Sequence, residues 1–182
     1  MLYLIVILLV IACVLLAVYH VRTRKAARHQ ERLDIIEHRI PEVEPAFKEI
    51  SSFFNYGHYI TESERLSLDE KFSGLLSEVG KILGTEELDG HPEKDLIERF
   101  HKAMSDSAGF KKVNNEEFVK KQLADYSGYF DTVLPYPLDG QQREAVVSLE
   151  DNVLVISSAG SGKTMTTVGK VRYLIDVQKV DP

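Results

Sequence analysis

The sequence holds a single cysteine, Cys13, so no disulfide can form within the chain. That scarcity fits a body kept in reducing surroundings. Acidic residues are missing from the first 30 positions, whose only formal charges are Arg22, Arg24, Lys25 and Arg28. The remaining 152 residues then carry 18 basic against 28 acidic side chains, a net charge of −10. An acidic body repels phosphate backbones, which counts against a general nucleic-acid platform while leaving room for a local basic groove. None of the six histidines pairs with another at helical spacing or with the cysteine at metal-site spacing, so no metal site is expected within the protein itself. Repeats and low-complexity tracts are absent. No lysine or arginine lies between residues 49 and 64, so the aromatic group Phe53, Phe54, Tyr56 and Tyr59 lacks the cations that hold a nucleic-acid strand and is assigned to the core. With 44% apolar and 27% charged residues, the chain is neither wholly disordered nor multispanning. Beyond the first 30 residues it has length for one ordinary domain.

What the first 30 residues do contain is an unbroken apolar run, Met1 to Tyr19. As a helix this run would rise about 28 Å, enough to span a bilayer core once. Tyr3 and Tyr19 stand near its ends, where amphipathic rings favour the interface. A cleaved signal peptide fits less well, because no basic stretch precedes the run and no small-x-small site follows it. Residues 1–20 are therefore expected to be a transmembrane anchor. The basic cluster that follows keeps its side of the membrane cytoplasmic, and attraction to anionic lipid is compatible with it.

Residues 21–134 are expected to form a cytoplasmic helical region. A polar helix over 26–40 should stop at Pro41 and Pro45, since proline cannot continue the hydrogen-bond ladder. Thr61 and Glu64 have capping-box spacing, and Leu68, Phe72, Leu75, Leu76, Val79, Ile82 and Leu83 recur at the helical period. Pro92 can open a further helix with Leu96, Ile97, Phe100 and Met104 on one face. Asn114 or Asn115 can cap another that carries Val119, Leu123, Tyr126 and Phe130. Residues 84–90 and 105–109 are expected to be loops. No set of acid, base and nucleophile stands out here.

The informative stretch starts at Asn152. Val153 to Ile156 have the composition of a strand buried on both faces, and Thr164 to Ile175 can form a helix with Val168, Val171 and Ile175 on one side. Between them lies Ala159-Gly160-Ser161-Gly162-Lys163-Thr164. Strand, glycine loop and helix start together describe a phosphate cradle. Glycines allow amides to approach phosphate oxygens, the helix terminus adds partial positive charge, Lys163 would reach the β and γ phosphates, and Thr164 would ligate Mg²⁺. The general pattern has a glycine six positions before the lysine, where Ser157 stands here. Upstream, in Leu138-Asp139-Gly140-Gln141-Gln142-Arg143-Glu144-Ala145-Val146, the Gln142 amide can pair with adenine N7 and N6 and favour ATP over GTP.

Taken with the glycine loop, the run from Tyr126 to Val147 resembles the Q motif and Walker A motif of UvrD/Rep-type superfamily 1 DNA helicases. The resemblance covers about 113–182. It implies a fold that is mainly α: a transmembrane helix, a helical middle region, and over 135–182 the truncated start of a RecA-like α/β P-loop NTPase domain (Q motif, first strand, P-loop, first helix). It also implies an ATP-driven motor that moves 3′ to 5′ on DNA. In this likeness Gln142 is the adenine reader, and Ser158, Ala159, Gly160, Ser161 and Gly162 form the phosphate loop. Lys163 is the phosphate clamp and Thr164 the Mg²⁺ ligand, the two carrying the catalytic contribution. Two departures stand out: relatives often have alanine-glycine at Ser157-Ser158, and many have an arginine where Met165 stands.

Only 19 residues follow Lys163. The expectation is therefore an N-terminal, membrane-anchored fragment of an ATP-dependent helicase, inactive alone, whose DNA contacts lie downstream. The resemblance to bacterial enzymes points to the inner membrane. Two alternatives stay open: another anchored P-loop ATPase or kinase, and a non-enzymatic helical membrane adaptor.

Overall fold

In the computed structural model, residues 2–156, 158 and 160–181 are described, with the side chains of residues 2 and 4–6 left aside. Among them every regular element is a helix: α1 (Leu2–His38), α2 (Ile40–Phe53), α3 (Glu62–Ile82), α4 (Glu86–Asp89), α5 (Lys94–Ser105), α6 (Ser107–Asp125), α7 (Ser127–Thr132), α8 (Gly140–Val147) and α9 (Lys163–Asp176). The chain divides into two units, Met1–Phe47 with Ser73–Lys102, and Lys48–Phe72 with Ala103–Pro182.

In the first unit, α1 continues from the apolar run into the polar segment without a break, a rise of about 55 Å over its 37 residues. Its Ile7–His38 portion contains a window long and apolar enough to cross a membrane, and none of that window is buried in the protein. The prolines act differently from the sequence expectation. Pro41 lies in the first turn of α2, where its missing N–H costs nothing, and Pro45 lies inside α2. The break comes earlier, at Arg39, between α1 and α2. Ile35, Ile40, Val43, Val79, Ile82, Leu88, Ile97 and Phe100 are buried and form the core of this unit. His29 and Arg32 meet the Glu87 carboxylate at 2.7 and 3.4 Å. Those contacts, the His29 hydrogen bond foremost, hold Glu87 down to about 2. Part of the expected 84–90 loop is the short helix α4.

In the second unit the predicted capping box is present: Thr61 N–H donates to Glu64 at 2.8 Å, and Glu64 N–H donates to Thr61 Oγ1 at 3.3 Å. The expected cap at Asn114 or Asn115 is not. Helix α6 begins at Ser107, through residues expected to be loop, and both asparagines are buried in its interior. Their amides satisfy the backbone of the segment after α2. Asn114 accepts from Tyr56 N–H and donates to the His58 carbonyl, at 2.8 and 2.9 Å. Asn115 accepts from Ile60 N–H and donates to the Ile60 carbonyl, both at 2.8 Å. Asparagine is a poor helix former, yet two buried amides that pair fully with a non-helical backbone offset that weakness. The aromatic group, expected in the core, stands at its margin: Phe53, Phe54 and Tyr59 are half-buried, with Phe54 against Phe110 and Tyr59 against Phe118, and Tyr56 is exposed.

Val153 to Ile156 are a correction. The expected first strand forms neither helix nor sheet, and Leu154 and Ile156 are 84% and 86% exposed. A strand exists only through its ladder, and no described residues provide a partner. The described structure is thus mainly α-helical, without the sheet of an α/β domain.

Candidate functional site

The site is built where α8 and α9 begin. Asp139 caps α8: its carboxylate accepts from Gln142 N–H at 2.9 Å, and Gln142 Oε1 accepts from Asp139 N–H at 3.0 Å. This reciprocal box fixes the glutamine rotamer. From that position Gln142 Nε2 donates to the Ser161 carbonyl at 3.3 Å, joining the head of α8 to the glycine loop. An amide oxygen has two lone pairs and an amide nitrogen two hydrogens, so this geometry uses one acceptor and one donor site and leaves one of each.

The loop itself is drawn around a single carbonyl. Ser158 C=O accepts from Ser161 Oγ at 2.8 Å and from Lys163 Nζ at 2.9 Å. Gly160 and Gly162 have φ of +79° and +82°, in the left-handed region that side chains resist. At Gly162 a Cβ would also stand 2.7 Å from Gln142 Nε2, so the close approach of loop and glutamine needs a glycine there. Gly162 is the N-cap of α9, and its carbonyl accepts from Thr166 N–H at 2.9 Å. Lys163 and Thr164 occupy the first turn of α9, both exposed. Of the expected loop residues, Ala159 lies outside the described residues, as does Ser157. An open cavity of about 320 Å³ lies between the two helix starts, lined by Tyr136, Leu138, Gln142, Gly160 to Gly162 and Met165. Amide, phenol and thioether surfaces of this kind suit a flat heteroaromatic ring.

Helix α9 exists as predicted but buries another face. Val168, Val171 and Ile175 are exposed, whereas Thr166, Gly169 and Tyr173 are buried. Which face a helix buries is decided by its neighbour, and here the neighbour is α8 with the segment before it. A Cβ on Gly169 would meet Leu138 Cδ1 at 3.0 Å and Val146 at 3.5 Å. Phe130, Leu138, Val146, Val147 and Tyr173 form one core cluster. The buried Tyr173 hydroxyl donates to Gln122 at 2.7 Å and accepts from Gln178 at 2.8 Å, while burial raises its pKa to about 12.

Residues 138–182, which hold this site except for Tyr136 and Pro137, match the family model for the UvrD/REP helicase N-terminal domain. The C-terminal segment is of UvrD type. It is similar to DNA helicase IV of Escherichia coli (strain K12), 33% identical over 69 residues that cover 38% of this chain and 10% of that protein. It is also similar to the Probable DNA helicase II homolog of Mycoplasma capricolum, 44% identical over 45 residues that cover 25% of this chain and 6% of that protein. The alignments thus span a tenth or less of the curated relatives' lengths. No solved structure matches the chain.

Around the UvrD-type segment stand residues whose role the sequence pattern did not expose. Arg143 donates from Nε to the Leu138 carbonyl at 2.7 Å, pairs with Asp131, and lies 5.8 Å over the Phe130 ring. It thereby ties the approach to α8 onto α7. Lys170 reaches from α9 to the Ala145 and Ser148 carbonyls at the end of α8, and its burial lowers its pKa. Adjacency to Gln142 is the only sequence signal for Arg143; Lys170 has none. A third support comes from Glu150 and Asp151, just before the segment at 153–156. Glu150 accepts from Glu62 N–H at 2.6 Å, and Asp151 accepts from Ser63 N–H at 2.8 Å, so both carboxylates cap the start of α3. Lys111 joins Glu62 and Glu150 at 2.9 and 2.6 Å.

Proposed function

We propose that the chain is the anchored start of an ATP-dependent, 3′–5′ superfamily 1 DNA helicase. Residues 1–20 would span the inner membrane, 21–134 would be a cytoplasmic helical region, and 135–182 would open the ATP-binding domain. The observation that carries this reading is the coincidence of the UvrD/REP match at 138–182 with the cavity between Gln142, the glycine loop and Met165. Gln142 would read adenine with its remaining donor and acceptor sites. Ser158 to Gly162 would present backbone amides to the phosphates, Lys163 would clamp them, and the Thr164 hydroxyl would hold Mg²⁺. These groups fit such a ligand: a cation, a hydroxyl and left-handed glycines gather at one helix start. Mg²⁺, when bound, offsets phosphate charge during transfer. The exposed apolar side chains of residues 153–156, with Val168, Val171 and Ile175, are the kind a parallel sheet and its helices cover, which supports an α/β continuation. DNA contacts would lie in that continuation.

The test is equilibrium binding of a fluorescent ATP analogue in the presence of Mg²⁺, using the intact protein. Lys163→Ala should weaken binding roughly 10- to 100-fold, the scale of losing charge-assisted hydrogen bonds. Gln142→Ala should erase the preference for ATP over GTP. Unchanged affinity in Lys163→Ala would leave the helical adaptor as the better description, whereas unchanged preference in Gln142→Ala would favour an unrelated P-loop enzyme.

A further inference from the structure

The polar continuation of α1 forms one wall of a cavity of about 910 Å³. Arg24, Lys25, Arg28, His29 and Arg32 line that wall, and the backbone turn 84–87 forms the other. Spacings of four residues, Arg24 to Arg28 to Arg32, align three guanidinium groups along one helix face. Arg32 and His29 are engaged by Glu87. Arg24, Lys25 and Arg28 make no ion pair among the described residues. Four permanent cations against Glu86 and Glu87 leave the cavity net positive in a body that is otherwise acidic.

Its location along the helix selects the ligand. At about 1.5 Å per residue, Arg24 and Lys25 stand roughly 8 Å beyond Tyr19, where the apolar run ends. The polar headgroup layer on each side of a bilayer is about 5–8 Å deep. Helical side chains lean toward the N-terminus, here toward the bilayer, so the Arg24 and Lys25 cations would reach down to lipid phosphates, while Arg28, with its Cα about 14 Å beyond Tyr19, would bring its guanidinium only to the layer's outer edge. We propose that this cavity binds the phosphate headgroup of an anionic phospholipid in the cytoplasmic leaflet. The proposal rests on α1 crossing the membrane. Guanidinium forks suit phosphate oxygens, and helix α1 presents them from one side with the 84–87 turn closing the other. Fixing a lipid there would set the depth and rotation of α1.

The experiment uses the full chain purified from membranes. First, resistance to alkaline carbonate extraction tests the anchor; release of the chain into the soluble fraction would overturn both the anchor and the cavity's assignment. The chain is then washed in nonionic detergent and reconstituted with phosphatidylcholine alone or with added phosphatidylglycerol, and retained lipid is read by native mass spectrometry. The expected result is selective retention of phosphatidylglycerol, reduced roughly 100-fold in apparent affinity by the triple variant Arg24→Gln, Lys25→Gln, Arg28→Gln. A control triple variant at exposed Lys112, Lys120 and Lys121 should retain the lipid like the wild type. A chain that resists extraction yet shows no phosphatidylglycerol preference would overturn the cavity alone. Equal displacement of the lipid by inorganic phosphate, or preferential capture of a single-stranded oligonucleotide by the same arginines, would also overturn it.

Discussion

Gly160 and Gly162 share a left-handed backbone but differ in surroundings, and that difference is measurable. Alanine at either position incurs the left-handed penalty of roughly 1–2 kcal/mol. Only at Gly162 would the new methyl also displace the Gln142 amide, 2.7 Å from the Cβ position, whereas nothing lies within 4 Å at Gly160. Gly162→Ala should therefore lower the unfolding midpoint more than Gly160→Ala, and it alone should disturb the amide resonances of Gln142 and Asp139 in a nitrogen-15 correlation spectrum. Tyr173 offers a second test. Burial favours its neutral form in the folded state, so it should ionise near pH 12 rather than at the free-phenol value of 10.0. Its stabilisation is complete below pH 10 and is lost as pH rises through 12. Absorbance of tyrosinate during alkaline titration should show late components, because burial raises Tyr59 and Tyr129 as well, and Tyr173→Phe should shrink them by one phenol's share.

At the scale of elements, local signals were legible and neighbour-dependent ones were not. The Thr61–Glu64 box, the periodic face of α3 and the position of α9 followed from residues near one another in sequence. The buried face of α9 did not follow, because Gly169 and Thr166 look indifferent until α8 is placed beside them. Likewise Asn114 and Asn115 carry the composition of a cap and serve instead as interior ligands of a distant backbone segment. Residues 153–156 have strand composition, but ladder formation needs a partner far along the chain. At the candidate site, the approach of Gln142 to the glycine loop and that loop's place at the head of α9 were legible, since a motif with fixed spacing encodes them. Its supports, Arg143 and Lys170, act through carbonyls that any residue could supply. Asn115→Leu should leave the Ile60 N–H and C=O buried without partners and cost roughly 2–4 kcal/mol by denaturant titration. Val171→Gln, on the exposed face of α9, should stay within about 0.5 kcal/mol of wild type.

For the whole molecule, the depressed carboxylates set the acid limit. Hydrogen bonds from Arg65 and then Lys111 hold Glu62 down to about 2, and backbone and side-chain bonds from Ser63 lower Asp151. Burial opposes ionisation of Glu150, yet Lys111 and two backbone amides outweigh it and keep its pKa lowered. Glu87 is held near 2 as well. Each such group contributes stability that is full above its unfolded value, 4.5 for the glutamates and 3.8 for Asp151, and is lost as pH falls through the folded value. Helical circular dichroism should hold down to about pH 4.5 and collapse toward pH 2. Glu62→Gln should move that transition to higher pH.

The carboxylates at 150 and 151 also act as a buckle. They grip residues 88 positions earlier, so the intervening chain is a closed ring fastened without a covalent bond. A single protease cut between α6 and α7 would open the polypeptide but leave its two pieces clasped. Nicked protein should elute from a sizing column like the intact chain at neutral pH, and part into two peaks only once acid undoes the fastening.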